Sequence, residues 1–194
     1  MNARMCDVPV LAFPMTDDAP AALWRLDGHC GPLAVWGILR YFKKRRAVEQ
    51  LIRACRHTKK HGTFAIALAL ALREHGLSIT FHSQTDPAPN RIERQCYALA
   101  ERAGVVLAGA IELEAVLEQI STKCIPIFLY NTDQNNGHFS PAVGVDRGRV
   151  ILPYASEAQT RMEKAELLCR WSAPDIYRQC IVVRDISTIS SGST

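Results

Sequence analysis

One cysteine in this chain sits where a thiol can become a nucleophile. The stretch Asp27-Gly28-His29-Cys30-Gly31-Pro32 runs straight into Leu33-Ala34-Val35-Trp36-Gly37-Ile38-Leu39, a glycine-flanked loop feeding an apolar helix. The first amides of a helix have no partner within it, and the helix dipole is positive there. A thiolate at that point is therefore stabilised, and its pKa falls. Gly28 and Gly31 leave room for a substrate backbone beside the sulfur, and Pro32 suits the first helical turn. The competing reading is a buried, inert cysteine that packs the helix end.

A cysteine nucleophile needs a base, commonly a histidine. The candidates are His29, His57, His61, His75, His82 and His138. His57, His61 and His75 stand in polar helix-end contexts that favour solvation, and His82 follows a short strand. His29 neighbours Cys30 in sequence, where side chains at a helix start diverge. His138 opens an apolar strand in Asn135-Asn136-Gly137-His138-Phe139, and Gly137 permits close approach. A rigid sheet is a sound mounting for a general base. The alternative for His138 is an ordinary edge-strand histidine.

Apolar periodicity supplies the elements that position this pair. Residues 1–24 form a lead-in punctuated by Pro14, Asp17-Asp18 and Pro20. A helix opens at Cys30 and ends in the basic run Lys43-Lys44-Arg45-Arg46, and a second spans 47–57. Gly62-Thr63 offers an N-cap to an apolar helix over 64–75 that stops at Gly76, with Trp36 and Phe64 expected in the core. A strand is expected at 77–81, and helices at 91–103 and 113–120. Strands follow at 125–130, 138–145 and 149–152, forming an antiparallel meander with a turn at Asp146-Arg147-Gly148. A helix at 163–171 and a strand at 179–183 complete the order. Helices first and sheet second is an α+β pattern. A single domain over 1–194 is expected, with 187–194 a flexible Ser/Thr-rich tail.

Taken together, these segments resemble the papain-like cysteine peptidases, and within them the bacteriocin-processing (double-glycine) peptidase family. Cys30-Gly31-Pro32-Leu33-Ala34 is similar to that family's Cys-Gly-x-Ala-Ala opening. Gly62-Thr63, Ile125-Pro126-Ile127, Gly137-His138-Phe139 and Val143-Gly144-Val145-Asp146 follow in the family's order, over roughly residues 25–183. The resemblance implies a papain-like fold with Cys30 and His138 catalytic, acting on an amide bond of a peptide or protein, without cofactor or metal. Two positions depart from the pattern. Trp24 stands where the family places an oxyanion-binding glutamine, and Leu152 stands where it places the aspartate that orients the histidine. Trp24, Tyr154 and Asn131 are the substitutes for these oxyanion and orienting roles, with Ser156 and Glu157 also near. Losing the orienting group can cost orders of magnitude in rate. A non-catalytic module that keeps the groove, and a papain-like acyl or peptidyl transferase, are therefore the alternatives to a peptidase.

Composition narrows the remaining classes. The chain is 48% hydrophobic and 22% charged, with a formal charge of +4. The basic runs at 43–46 and 56–61 lack the interleaved aromatics of a stacking platform, so no nucleic-acid partner is expected. Seven cysteines include no Cys-x-x-Cys pair, which argues against a zinc ribbon or thioredoxin motif. No signal peptide or membrane span is read. Reduced thiols in a bacterial cytoplasm are the simplest expectation, with export of a leaderless effector leaving the same trace.

Overall fold

The structure is a computed structural model and describes residues 7–155 and 160–187. After a short turn of 3-10 helix at Thr16–Asp18, the helical half comprises α1 (Ala21–Trp24), α2 (Cys30–Tyr41), α3 (Val48–Ala54) and α4 (Ala65–Glu74). Next come β1 (Ser78–Ser83), α5 (Arg91–Ala103), β2 (Val106–Gly109) and α6 (Leu113–Leu117). The sheet half holds β3 (Cys124–Asn131), β4 (Gly137–Pro141), β5 (Val145–Asp146), β6 (Arg149–Ile151), β7 (Arg161–Glu163), α7 (Lys164–Trp171) and β8 (Cys180–Arg184). The main sheet has the order β2-β1-β8-β3-β4, and a small second sheet runs β5-β6-β7. All pairings are antiparallel except β1 with β2. This is an α+β fold.

The central strands are apolar because both faces of the sheet are covered. Ile125 and Ile127 of β3, with Ile181 and Val183 of β8, join the core beneath α2 and α4. The alternate residues Phe128, Tyr130, Cys180 and Val182 join a second core with α6 and α7. There Trp171 is fully buried, packs edge-on against Phe128 and donates its indole N–H to the Gln179 carbonyl. Helix α4, Ala-Ile-Ala-Leu-Ala-Leu-Ala-Leu in its first eight residues, is buried at every one of them. Such all-round burial explains why it shows little amphipathic patterning.

Several expectations need adjustment. Helix α4 is preceded by Phe64, not capped by Thr63; the Thr63 hydroxyl instead meets His57 Nδ1 at 3.0 Å. Trp36 and Phe64 are only partly buried and pack on the rim of the first core. The strand expected over 138–145 breaks at Pro141, which has no N–H to continue the ladder. Beyond it Ala142 donates to the Pro126 carbonyl and Val143 to the Ile151 carbonyl, so the chain crosses from one sheet to the other. Strands β2 and β7 were not anticipated. The lead-in is structured: Val8 bridges Val145, and the Leu11 amide donates to the Val143 carbonyl at 2.8 Å. Gly144 permits this, since a Cβ there would lie 2.6 Å from Val10 Cα. The expected tail from 188 onward lies outside the described residues. Among the described residues no helix is long and apolar enough to cross a membrane, and no group of three or more His, Cys, Asp or Glu is placed to hold a metal ion.

Candidate active site

Cys30 is the first residue of α2, and the first bond of that helix runs from the Leu33 amide to the His29 carbonyl at 2.9 Å. The amides of Cys30 and Gly31 therefore lie outside the helix ladder, and both act to favour a thiolate at Cys30. A third amide, that of Phe139, comes from β4 on the edge of the main sheet. Gly31 makes this meeting of helix and strand feasible: a Cβ there would already lie 3.2 Å from Leu68 and 3.3 Å from Phe139. Burial nonetheless outweighs the three amides, and the Cys30 thiol is pushed above its ordinary pKa.

His138 lies next to Phe139 on β4, and its ring rests against that of Tyr130. Its Nε2 is 2.5 Å from the backbone carbonyl of Tyr154. A carbonyl can only accept, so Nε2 carries the proton and the neutral ring keeps its lone pair on Nδ1. Burial, aided by the nearby imidazole of His29, pulls the His138 pKa below its ordinary value, although the Tyr154 carbonyl opposes this. Burial thus disfavours the charged form of both groups.

Tyr154 is pinned at both ends. Its amide donates to Ser140 Oγ at 3.3 Å, and its hydroxyl donates to the Pro14 carbonyl at 2.9 Å. The ring lies over Gly37 of α2 and edge-on to Phe13. The carbonyl that meets His138 is thus fixed by residues from the lead-in, α2 and β4.

Cys30 borders two cavities. One, of about 550 Å³, is also lined by His138, His29, Trp24, Met15 and Tyr154. The other, of about 370 Å³, is lined by Gly28, His61, Phe139, Asp86, Glu93 and Asp175 but not by His138. Cys30 and His138 therefore border one cleft, which holds both a thiol and an imidazole. That is the equipment of acyl transfer through a thioester.

No protein-family model matches the chain, and no curated protein sequence matches it; solved structures do. A double glycine motif protease from an AMS/PCAT transporter, in complex with the leader peptide, superposes with a TM-score of 0.54 at 18% identity, covering 91% of each chain. The peptidase domain of Streptococcus ComA, a bi-functional ABC transporter involved in a quorum sensing pathway, gives a TM-score of 0.52 at 13% identity. It covers 80% of this chain and 90% of that domain. A Bacillus anthracis protein assigned as a C39-like peptidase gives a TM-score of 0.59 at 11% identity, over 93% of this chain and 98% of that one. The fold is that of a double-glycine peptidase domain.

Within this papain-like fold the remaining candidates fall in different places. Trp24 borders the 550 Å³ cavity, 44% exposed, with its ring 4.9 Å from that of His29. Tyr154 meets His138 through its carbonyl and not through its phenol. Asn131 donates its side-chain N–H to Asn135 at 2.7 Å, pairs across the sheet with Gly137, and borders the smaller cavity and not the one that His138 lines. Leu152 is fully buried in the second core and lines neither cavity. Ser156 and Glu157 lie outside the described residues. Of the other histidines, His57 meets Thr63, His75 the Ala71 carbonyl and His82 the Gly109 carbonyl. Sequence reasoning missed His29 as a neighbour of His138. It also missed the acidic side chains of the smaller cavity, which come from three separate segments with no shared motif.

Proposed function

We propose that this protein is a cysteine peptidase in which Cys30 is the nucleophile and His138 the base. The observation that carries this reading is the Nε2–H bond of His138 to the Tyr154 carbonyl, in the cleft that also holds Cys30. It selects the tautomer with Nδ1 free to accept the thiol proton, which is the task of the carboxylate in a triad. In the first step Sγ attacks the amide carbonyl carbon, its proton passes to His138, and the oxyanion is met by the Cys30 amide. The C–N bond then breaks, and the imidazolium returns its proton to the departing amine. Water next attacks the thioester, giving a proton to His138; the C–S bond breaks, and the thiol recovers that proton. The balance needs no cofactor. Hydrolysis of a peptide or protein fits a fold whose relative was crystallised with a leader peptide. A cytoplasmic setting with reduced thiols suits this chemistry.

The raised thiol pKa favours a second reading, a groove that binds peptides with Cys30 silent. Iodoacetamide labelling with peptide mapping, together with digestion of a random peptide library, separates the two. Cys30 should label faster than exposed Cys169 above neutral pH, slow at least tenfold in His138→Ala, and be required for cleavage. Labelling no faster than Cys169, with the library intact, would discard the peptidase.

A further inference from the structure

Resting on that reading, we infer that the 550 Å³ cavity receives the residue just after the scissile bond, and that Trp24 and Met15 select a large apolar side chain there. The direction of the substrate follows from the proton. His138 must hand a proton to the departing nitrogen, so the amine side of the bond lies on the side of Cys30 that His138 faces. His138 borders the larger cavity and not the smaller, whereas Cys30 borders both. The acyl half of the substrate therefore occupies the smaller cavity, and the amine half the larger.

The linings then set what each half can carry. Among the described residues around the larger cavity there is no Asp, Glu, Lys or Arg. Met15 is 55% exposed and Trp24 44% exposed, and both open onto it beside Leu33 and Pro153. Two large apolar side chains left wet at the mouth of a reactive cleft mark a surface that gains by being covered. A charged side chain seated against Met15 and Trp24 would lose water beside apolar surface, whereas an aromatic or branched apolar one would bury against the indole. Trp24, at the position where the resembled family has its oxyanion glutamine, becomes a specificity-determining residue.

The test reads the N-terminal residue of every product from a random peptide library by mass spectrometry. It is paired with fluorescence titration of Cys30→Ala protein with Phe-Ala amide and Gly-Ala amide, whose free amines mimic the departing fragment. Products should begin with Phe, Leu, Met or Trp about tenfold or more above Asp, Glu or Gly. Trp24→Ala and Met15→Ala should each flatten that preference, and Trp24→Phe should retain most of it. Phe-Ala amide should bind Cys30→Ala about tenfold more tightly than Gly-Ala amide, and lose that margin when Trp24→Ala is added. Cleavage without the preference, or with a preference that Trp24→Ala leaves intact, overturns this inference while the peptidase stands. An uncut library with Trp24-dependent binding of Phe-Ala amide removes the peptidase and leaves the apolar pocket. Equal binding of the two amides overturns the pocket whatever the library shows.

Discussion

Replacing Gly37 with alanine probes the mounting of His138 from a distance. A Cβ at position 37 would lie 2.7 Å from Tyr154 Cε2 and 2.9 Å from Phe13 Cε1, with the Tyr154 hydroxyl as a further close neighbour. Ordinary contact needs about 3.5 Å or more, so the ring has to retreat by most of an ångström. That displacement stretches the 2.9 Å bond from the Tyr154 hydroxyl to Pro14 beyond hydrogen-bond range. Overpacking costs about 1–3 kcal/mol and the lost hydrogen bond about 1 kcal/mol. Alanine returns up to about 1 kcal/mol through helix propensity. The net loss is about 1–3 kcal/mol, a fall in Tm of about 2–12 °C for a domain of this size. Because the same ring anchors the carbonyl facing His138, the Cys30 alkylation rate at neutral pH should fall as well. Thermal melts and iodoacetamide kinetics on parent, Gly37→Ala, Tyr154→Phe and the double variant give the coupling. Gly37→Ala should cost less in the Tyr154→Phe background, where one of the clashing atoms is gone. A Gly37→Ala protein that melts higher than the parent, with unchanged alkylation, would refute the packing argument.

Other expectations follow from the same geometry. With Cys30 raised and His138 lowered, Cys30 alkylation should climb with pH through the neutral-to-alkaline range; a rate flat from mildly acidic pH upward would mean a resting ion pair. For stability the two shifts have opposite signs. The lowered His138 pKa contributes stability above the unfolded value near 6.5 that is lost as pH falls through the folded value. His138→Gln should therefore flatten the acid side of a plot of Tm against pH, and an unchanged acid limb would count against the burial of the ring. Leu152→Asp would insert an orienting carboxylate in the resembled family, but here it buries a carboxyl in the Trp171 core. It should destabilise by about 2–5 kcal/mol or more without moving the Cys30 profile to lower pH. A stable Leu152→Asp protein with a lower-pH profile would show that the side chain does reach His138.

How much of this was legible from the sequence depended on whether the signal was local. The Cys30 junction, the apolar run of α4 and the glycine stops at Gly76 and Gly104 are local, and the positive φ of both glycines is what such stops require. Strand β2 was invisible because it is a short edge strand with Val106 58% exposed, held by a parallel pairing to β1 that no turn announces. Pro141 did carry a signal for the break between β4 and β5, overridden by the apolar run on both sides of it. The partner of His138 was legible least of all. A side-chain search looks for a carboxylate or amide, whereas the group found there is a main-chain carbonyl, which any residue type supplies. Only the three-dimensional path of the chain through Tyr154 places it.

The bond from the Tyr154 hydroxyl to the Pro14 carbonyl joins residues 140 positions apart. During synthesis, Cys30 leaves the ribosome long before either His138 or Tyr154 exists. The helical half can bury its own apolar faces in that interval, but the lead-in has no sheet to pair with and the cleft beside Cys30 lacks its His138 wall. Closing so long a loop comes late, after the local contacts are made. The cleft that Cys30 and His138 border is therefore completed only once the sheet half exists. On the proposed peptidase reading, a nascent chain carries Cys30 without its base until the sheet that holds His138 has formed and residues 8–14 can pair with it.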